Sequence, residues 1–228
     1  MFDRVKVVGR GRVGSAVVAR LTERGHVVIE DNPELVMLCV PDTLISEVAQ
    51  SVSVGPWVCH TSGATSVAAL APHTRRFTMH PLQTVVRSRG PEQLDGAWAA
   101  VTGDDADGVA RASWVARELG LQPFELADEM RALYHAGAAL ASNYLVTLYR
   151  TACRAFEIAG APSAALLPLM RRTIENNFEL TGPIARGDWA TLDAHLAALR
   201  AFAPELEPVY RALAESTAGR QNAGHRDA

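Results

Sequence analysis

The first half of the chain alternates short apolar runs with segments in which apolar residues recur every three or four positions. The runs are typical of strands covered on both faces, and the recurring spacing is typical of helices that pack by one side. Strands are predicted at residues 5–8, 26–29, 35–40, 57–60, 76–80, 97–102 and 122–126. Helices are predicted at residues 12–24, 42–52, 66–71 and 105–119, the second capped by Asp42. Strands that alternate with helices indicate an α/β fold with a mostly parallel sheet.

After residue 128 the pattern changes to one that is helical throughout and rich in alanine. Helices are predicted at residues 130–159, 163–180, 188–202 and 204–218, the third of them capped by Asp188. We therefore expect an α/β domain at residues 1–126 and an all-α domain at residues 127–218. The polar stretch 219–228 is expected to be a flexible tail.

Composition and charge exclude several functional classes. The formal net charge of −3 leaves no uncompensated basic stripe, so we expect no binding to nucleic acid or to a membrane surface. The three cysteines include no C-x-x-C pair, which argues against a disulfide framework or a zinc site, and no metal is expected. A strand begins almost at the N-terminus, and no apolar run reaches the ~18 residues of a membrane span. A cytoplasmic protein is expected.

A glycine loop with the pattern G-x-G-x-x-G occupies residues 9–14, after the first strand and at the start of the first helix. In a Rossmann-like fold such glycines allow a tight turn and close approach of a pyrophosphate, which the free N–H groups of the helix then bind. The loop predicts binding of NAD or NADP, through the residues Gly9, Gly11, Arg12, Val13 and Gly14. The alternative is that the three glycines serve only the turn between strand and helix.

The segment after the second predicted strand is unusually short. An acidic residue about 20 positions beyond the loop normally binds the ribose hydroxyls, and Glu30 or Asp31 fits that spacing. Only residues 31–34 separate this strand from the next, whereas a parallel crossover needs a dozen or more residues. The second crossover is therefore shortened, its helix and the usual third strand are absent, and the adenosine end of the site is open or badly formed. NAD and NADP both remain possible.

Polar residues cluster where two of the predicted strands end. His60, Thr61, Ser62 and Gly63 follow one strand, and His80 with Gln83 follows the next. In open α/β sheets ligands bind at the carboxyl ends of the strands, so these residues are candidate substrate ligands, and His80 is also a candidate catalytic residue. The alternative is that these side chains cap loops and helix ends.

Four ordered motifs resemble those of one family: residues 60–64 (HTSGA), 79–84 (MHPLQT), 134–145 (from Tyr-His to ASNYL) and 180–188 (LTGPIARGD). The chain resembles the Rossmann-like predicted oxidoreductases that carry the C-terminal domain of unknown function 2520, within the superfamily of 6-phosphogluconate dehydrogenase and ketopantoate reductase. The resemblance implies an NAD(P)-binding domain and a helical domain that often dimerises, with the active site in the cleft between them. It implies no particular substrate. Related dehydrogenases place a catalytic lysine one turn before an asparagine; here Asn143 fits the asparagine, but Ala139 stands at the position of the lysine.

Other residues must then supply the chemistry. His135 and Asn143 lie eight positions apart, on one face of the predicted helix, so His135 can protonate a carbonyl or imine that Asn143 orients. Arg186 can hold a substrate carboxylate, and Val40 and Pro41 lie where the nicotinamide is expected.

Three hypotheses follow. The first is an NAD(P)-dependent reductase or dehydrogenase that acts on a small keto- or imino-carboxylate and forms a homodimer through its helical domain. The second is a non-catalytic ligand-binding or regulatory relative with impaired cofactor binding. The third is an enzyme that binds a smaller phosphorylated ligand on the glycine loop. For His135 the alternative is a purely structural histidine at the domain boundary.

Overall fold

The computed structural model describes residues 1–224, with side chains described as far as residue 219. Seven strands form one sheet: β1 (Arg4–Val8), β2 (Val27–Val28), β3 (Leu35–Leu38), β4 (Trp57–His60), β5 (Arg76–Leu82), β6 (Trp98–Gly103) and β7 (Gln122–Glu125). Their order is β2-β1-β3-β4-β5-β6-β7. All neighbours are parallel except β5 and β6, so the predicted mostly parallel sheet is confirmed.

Helices cover both faces of the sheet, because the side chains of each strand alternate between the faces. On one face the core is completed by α1 (Arg12–Glu23) and α3 (Ala106–Glu118). On the other face Val36 and Leu38 of β3 pack against the shorter α2 (Ile45–Ser51) and the turn Val67–Leu70. The predicted helices of this half are therefore present, two of them as short or 3-10 segments.

The shortened crossover is confirmed, and the register explains how so few residues suffice. Val28 of β2 and Leu35 of β3 both stand opposite Val5 of β1. Because β2 ends level with the start of β3, the connecting residues 29–34 pass from one side of β1 to the other and do not have to run back along its length. They are fastened to its amino half, where the Glu34 carboxylate accepts hydrogen bonds from the backbone N–H groups of Asp3 (2.7 Å) and Arg4 (3.1 Å).

Two local predictions are wrong. Asp42 does not cap a helix, because a 3-10 turn at Asp42–Leu44 precedes α2 and the cap residue Pro41 makes no side-chain hydrogen bond. The predicted continuous helix 130–159 is divided at Ser142 into α4 (Arg131–Ala141) and α5 (Asn143–Ile158). Ser142 has φ −119° and ψ −69°, and its hydroxyl donates to the Ala138 carbonyl (2.9 Å), a contact that commonly bends helices.

The chain forms two compact units, residues 1–142 and 143–228. The first unit therefore includes α4 as well as the sheet, whereas the sequence pattern places the start of the helical domain at residue 127. The helices of the second unit are α5, α6 (Leu166–Glu175), α7 (Trp189–Phe202) and α8 (Glu207–Gly224). Asp188 caps α7 as predicted, because its carboxylate accepts from the backbone N–H of Thr191 (3.1 Å).

The end of the chain was predicted as a flexible tail over residues 219–228. Helix α8 continues through residues 219–224, and residues 225–228 lie outside the described residues. In the described part of the chain, none of the helices combines the length and the apolar character that a membrane crossing requires.

Candidate functional site

The three glycines of the glycine loop have different surroundings. Gly9 has φ +97°, and a Cβ atom there would collide with the backbone of Cys39. A Cβ on Gly14 would collide with the Gly9 carbonyl, whereas a Cβ on Gly11 would meet nothing within 4 Å. Gly9 and Gly14 are therefore required by the fold itself, and Gly11 leaves open space at the start of α1. This division matches a loop that lets a phosphate approach the helix.

The first turn of α1 suits an anion. Gly11 is its cap residue, no side chain caps the helix, and the first turn contains no acidic residue. Arg12 is exposed, while Val13 packs partly against the main core. The N–H groups of this turn and the positive end of the helix dipole are thus left for a ligand.

Asp31, which was predicted to bind the ribose, lies in a groove that the glycine loop does not line. Asp31 lines a groove of about 1060 Å³ together with Lys6, Glu34 and Val36, beside the amino half of β1. The groove exists because no crossover helix covers this part of the sheet. Lys6, the only lysine of the chain, forms an ion pair there with Glu30 (3.1 Å). Residues 9–14 do not line this groove.

The predicted nicotinamide neighbours Val40 and Pro41 directly follow β3. Val40 packs partly against the core on the α2 face, and Pro41 is exposed. The sulfur of the preceding Cys39 is buried, which raises the pKa of this thiol to about 12 and leaves it un-ionised at neutral pH.

His60 organises the loop that follows β4. Its side chain is fully buried, its Nδ1 accepts from the backbone N–H of Ser62 (3.2 Å), and its Nε2 lies 3.2 Å from the carbonyl of Ser66. These partners fix the neutral tautomer with the proton on Nε2, and burial lowers the pKa of His60 to about 4. Both ring nitrogens are therefore used to hold the chain's own loop.

Ser62 fastens the same loop from its other side. Its hydroxyl donates to the Asp42 carboxylate (2.7 Å) and accepts from the backbone N–H groups of Ala64 (3.2 Å) and Thr65 (3.0 Å). Thr61 hydrogen-bonds to the Cys39 thiol. In this loop the polar side chains mainly hold the backbone of Gly63 in place.

Gly63 is the point at which two histidines meet. A Cβ atom there would lie 2.6 Å from Cδ2 of His135 and 2.9 Å from Nε2 of His80. The two imidazole rings are 5.9 Å apart between centroids and nearly perpendicular. The fold thus brings together His80 of β5 and His135 of α4, two of the residues predicted as catalytic.

The other predicted site residues are Gln83 in the first unit and Asn143 and Arg186 in the second. Gln83 uses its side-chain carbonyl to accept from the backbone N–H of Thr84 (2.8 Å). Asn143 begins α5 in the second unit, so the helical spacing from His135 does not extend to it across Ser142. Arg186 is exposed in a 3-10 turn of the second unit.

Arg131, which the sequence pattern did not indicate, is a buried cation whose charge acts on His80. Its side chain is only 1% exposed, and its guanidinium donates to the hydroxyls of Thr78 (2.7 Å) and Thr102 (3.1 Å) and to the Ser62 carbonyl. Among the described residues its Nε has no hydrogen-bond partner, and it lies 4.0 Å from the Asp128 carboxylate. A buried positive charge therefore ties β5 and β6 to the loop that carries Gly63.

Burial is the main cause that keeps His80 neutral, and Tyr134 holds its ring. The Tyr134 hydroxyl lies 2.8 Å from Nδ1 of His80, and burial raises the pKa of Tyr134 to about 12, so the phenol stays protonated. Burial, followed by the charges of His135 and Arg131, lowers the pKa of His80 to about 4. At pH 7 His80 is therefore neutral. When Tyr134 donates to Nδ1, the proton on Nε2 faces Gly63 and is available to a ligand.

The lowered pKa values of His60 and His80 predict that the protein loses stability in mild acid. Each has a pKa near 4 in the folded chain and about 6.5 when unfolded, so between these values the unfolded chain binds more protons. The free energy of unfolding is expected to be level above pH 7 and to fall by up to about 1.4 kcal/mol per pH unit for each histidine as pH drops from 6.5 towards 4. Urea unfolding at pH 7, 6 and 5 measures this slope, and His80→Asn should reduce it. Equal stability at pH 7 and pH 5 would contradict the assignment.

Comparisons with known proteins match this architecture. The family model "Domain of unknown function (DUF2520)" matches residues 97–217, and a "Rossmann-like domain" model matches residues 29–84. A search of curated proteins finds no match to the chain.

Solved structures share the fold at low sequence identity. A "putative NADP oxidoreductase" from Bacteroides fragilis is similar with a TM-score of 0.80 at 17% identity, over 95% of this chain and 98% of that one. A protein from Thermotoga maritima has a TM-score of 0.74 at 23% identity, over 96% and 99% of the two chains. A reductive aminase from Aspergillus terreus, in complex with NADPH, has a TM-score of 0.68 at 14% identity, over 96% and 95%.

Proposed function

The chain belongs to the family of the domain of unknown function (DUF2520), and from that premise we propose that it is an NAD(P)-dependent oxidoreductase that reduces a small keto- or imino-carboxylate. One observation carries the proposal: the open glycine loop and the histidine pair lie at the same edge of the sheet. Gly9 follows the carboxyl end of β1, and His80 lies near the carboxyl end of β5. The strands β1, β3, β4 and β5 are parallel, so these ends share one edge, where ligands of open α/β sheets bind.

The residues at the start of α1 fit the phosphates of a dinucleotide. The free space over Gly11 admits a pyrophosphate, and the backbone N–H groups of Arg12 and Val13 lie in the first turn of the helix. When bound, the nicotinamide supplies or accepts a hydride. The chain's own part is to orient the substrate and to provide a proton.

His80 and His135 divide that work in our proposal. The neutral His80 donates a hydrogen bond from Nε2 to the substrate carbonyl or imine and polarises it, while Tyr134 holds the ring. His135 is exposed on α4, and in this proposal it protonates the oxygen or nitrogen as the neighbouring carbon receives the hydride. Asn143 and Arg186 remain candidate ligands for the substrate.

The substrate class is supported by names among the structural neighbours. They include a 1-pyrroline-5-carboxylate reductase from Streptococcus pyogenes as well as the reductive aminase. Both names describe reduction, and the first names a carboxylate. A non-catalytic relative with impaired cofactor binding is the second candidate, and the observation that favours it is Asp31, which lies in the groove beside β1 and not at the glycine loop.

Two glycine variants test cofactor binding. Gly11→Val is expected to leave the free energy of unfolding nearly unchanged, because Gly11 has open space and φ −69°, which any residue adopts. It should nevertheless weaken NADPH or NADH binding by tenfold or more, about 1.4 kcal/mol, because the new side chain fills the approach of the pyrophosphate. Gly14→Ala is the matched comparison and should destabilise the fold itself, because its Cβ would meet the Gly9 carbonyl. Titration calorimetry and urea unfolding measure the two effects. Equal cofactor affinity in wild type and Gly11→Val would contradict the proposed site.

We also propose that the helical unit associates with a second copy of the chain. Its helices carry several large apolar side chains that are at least half exposed: Tyr144, Leu167, Leu169, Ile174 and Phe202. Large exposed apolar patches mark interfaces, and closed dimers are the commonest assembly, so exposed side chains of this size favour self-association. Sedimentation equilibrium should show a dimer that Leu169→Asp weakens. A monomeric wild type at high micromolar concentration would contradict this proposal.

A further inference from the structure

A second, smaller cavity lies beside α1. It has a volume of about 240 Å³ and is formed between α1 and the loop of residues 86–93. Its floor includes Ala16 and Ala19, and three arginines line it: Arg12, Arg87 and Arg89. The volume suits a small ionic group better than a whole cofactor, since sites for drug-sized ligands occupy ~300–1,000 Å³.

The loop that carries two of these arginines is held in place by a buried side chain. Gln93 is 7% exposed, and its carbonyl oxygen accepts from the backbone N–H of Val86 (2.8 Å). Its amide group donates to the carbonyls of Arg89 (3.1 Å) and Gly90 (2.8 Å). A buried amide with this many backbone partners fixes the loop and so fixes where the arginine side chains start.

The described residues leave the three cavity arginines without an ion-pair partner. Arginines elsewhere in the sheet unit form ion pairs, for example Arg20 with Asp95 (2.8 Å) and Arg76 with Asp104 (2.6 Å). Within residues 1–219, by contrast, none of the ion pairs involves Arg12, Arg87 or Arg89. The cavity lining contains no acidic residue, although the Glu92 carboxylate lies nearby and accepts from the backbone N–H of Gly90 (3.1 Å). The first turn of α1, which contains Arg12, has no acidic residue either.

We propose that Arg12, Arg87 and Arg89 form a phosphate-binding site that receives a phosphate or diphosphate group of the ligand. The planar guanidinium matches phosphate oxygens in a bidentate manner, and three such groups around a small cavity select a multiply charged anion over a single carboxylate. The group belongs either to the nicotinamide cofactor or to a phosphorylated substrate. Only the first of these sources rests on the proposed function.

Inorganic pyrophosphate is the probe that tests the site. Calorimetric titration of the full chain should show saturable binding that Arg87→Gln/Arg89→Gln weakens on the order of tenfold or more, because two charged hydrogen-bond donors are lost. The matched control is Arg24→Gln, which removes one arginine charge beyond the opposite end of α1, where Arg24 is exposed. It should bind like wild type. Thermal unfolding of each variant verifies that the fold is retained.

Two results would overturn the proposal: no binding of pyrophosphate to wild type at millimolar concentration, or the same affinity in the double variant as in wild type. An equal loss in Arg24→Gln would also overturn it, because the effect would then be one of overall charge.

NADPH and NADH identify the source of the phosphate. If the double variant loses affinity for both, the group is the pyrophosphate that they share. A loss confined to NADPH identifies its additional phosphate. Pyrophosphate binding without binding of either cofactor supports this site and assigns it to a phosphorylated substrate, while the proposed function fails.

Discussion

Replacing His135 by alanine is expected to lower turnover by about 10²-fold or more, the usual cost of removing a general acid. The substitution should leave the fold intact, because the imidazole is exposed at the surface of α4. The expected signature is a lower rate constant for hydride transfer, measured in single-turnover reactions that follow nicotinamide absorbance.

The matched control for this variant is Leu133→Ala. Leu133 lies on the same helix and is 68% exposed, so its removal tests whether any truncation of α4 affects turnover. Unchanged turnover in His135→Ala would exclude His135 as the proton donor. His80→Gln would then become the decisive variant, because His80 is the other imidazole at Gly63.

Replacing Arg131 by methionine is expected to cost about 3 kcal/mol in the free energy of unfolding. The guanidinium is almost fully buried and donates to the hydroxyls of Thr78 and Thr102 and to the Ser62 carbonyl, and the variant would leave these three groups without that donor. Removing one member of a buried charged network typically costs several kcal/mol. Urea unfolding of the variant measures the loss.

Arg131→Met should also raise the pKa of His80, because the positive charge of Arg131 is one of the causes that lower it. Titration of the imidazole by NMR reads this effect separately from stability. Arg117→Met, on the exposed side of α3, is the control and should cost no more than about 0.5 kcal/mol. A stability loss no larger than in this control would refute the structural role assigned to Arg131.

The fold of the sheet unit could be predicted because the patterns that indicate its strands and helices lie among residues that are close together in the sequence. The β-branched run before Gly9 and the helical spacing after it are properties of neighbouring residues, and they place β1, the glycine loop and α1 correctly. The short stretch 31–34 between the second and third predicted strands likewise indicated that the crossover was shortened and lacked its helix. Its consequence for Asp31 could not be predicted, because it depends on the register of β2 and β3 against β1.

The site histidines could be predicted only in part. The pattern predicts that His60 and His80 follow two neighbouring strands and therefore lie at one edge of the sheet. In the structure His60 is fully buried, and both of its ring nitrogens have partners within its own loop. Arg131 and Tyr134 were missed because a buried arginine has no sequence signature: arginine is ordinarily exposed, and its three partners here come from distant parts of the chain. The alanine-rich pattern runs unchanged through Ser142, so the division between α4 and α5 left no signal either.

Thermal unfolding with NAD, NADH, NADP and NADPH is the most direct test of the proposed binding of a nicotinamide dinucleotide at the glycine loop. A ligand present at ~100 times its dissociation constant stabilises the folded state by about 2.7 kcal/mol, so at least one of the four should raise the unfolding temperature by several degrees. The same ligand should have little effect on Gly11→Val. An unfolding temperature unchanged by millimolar concentrations of all four dinucleotides would contradict the account.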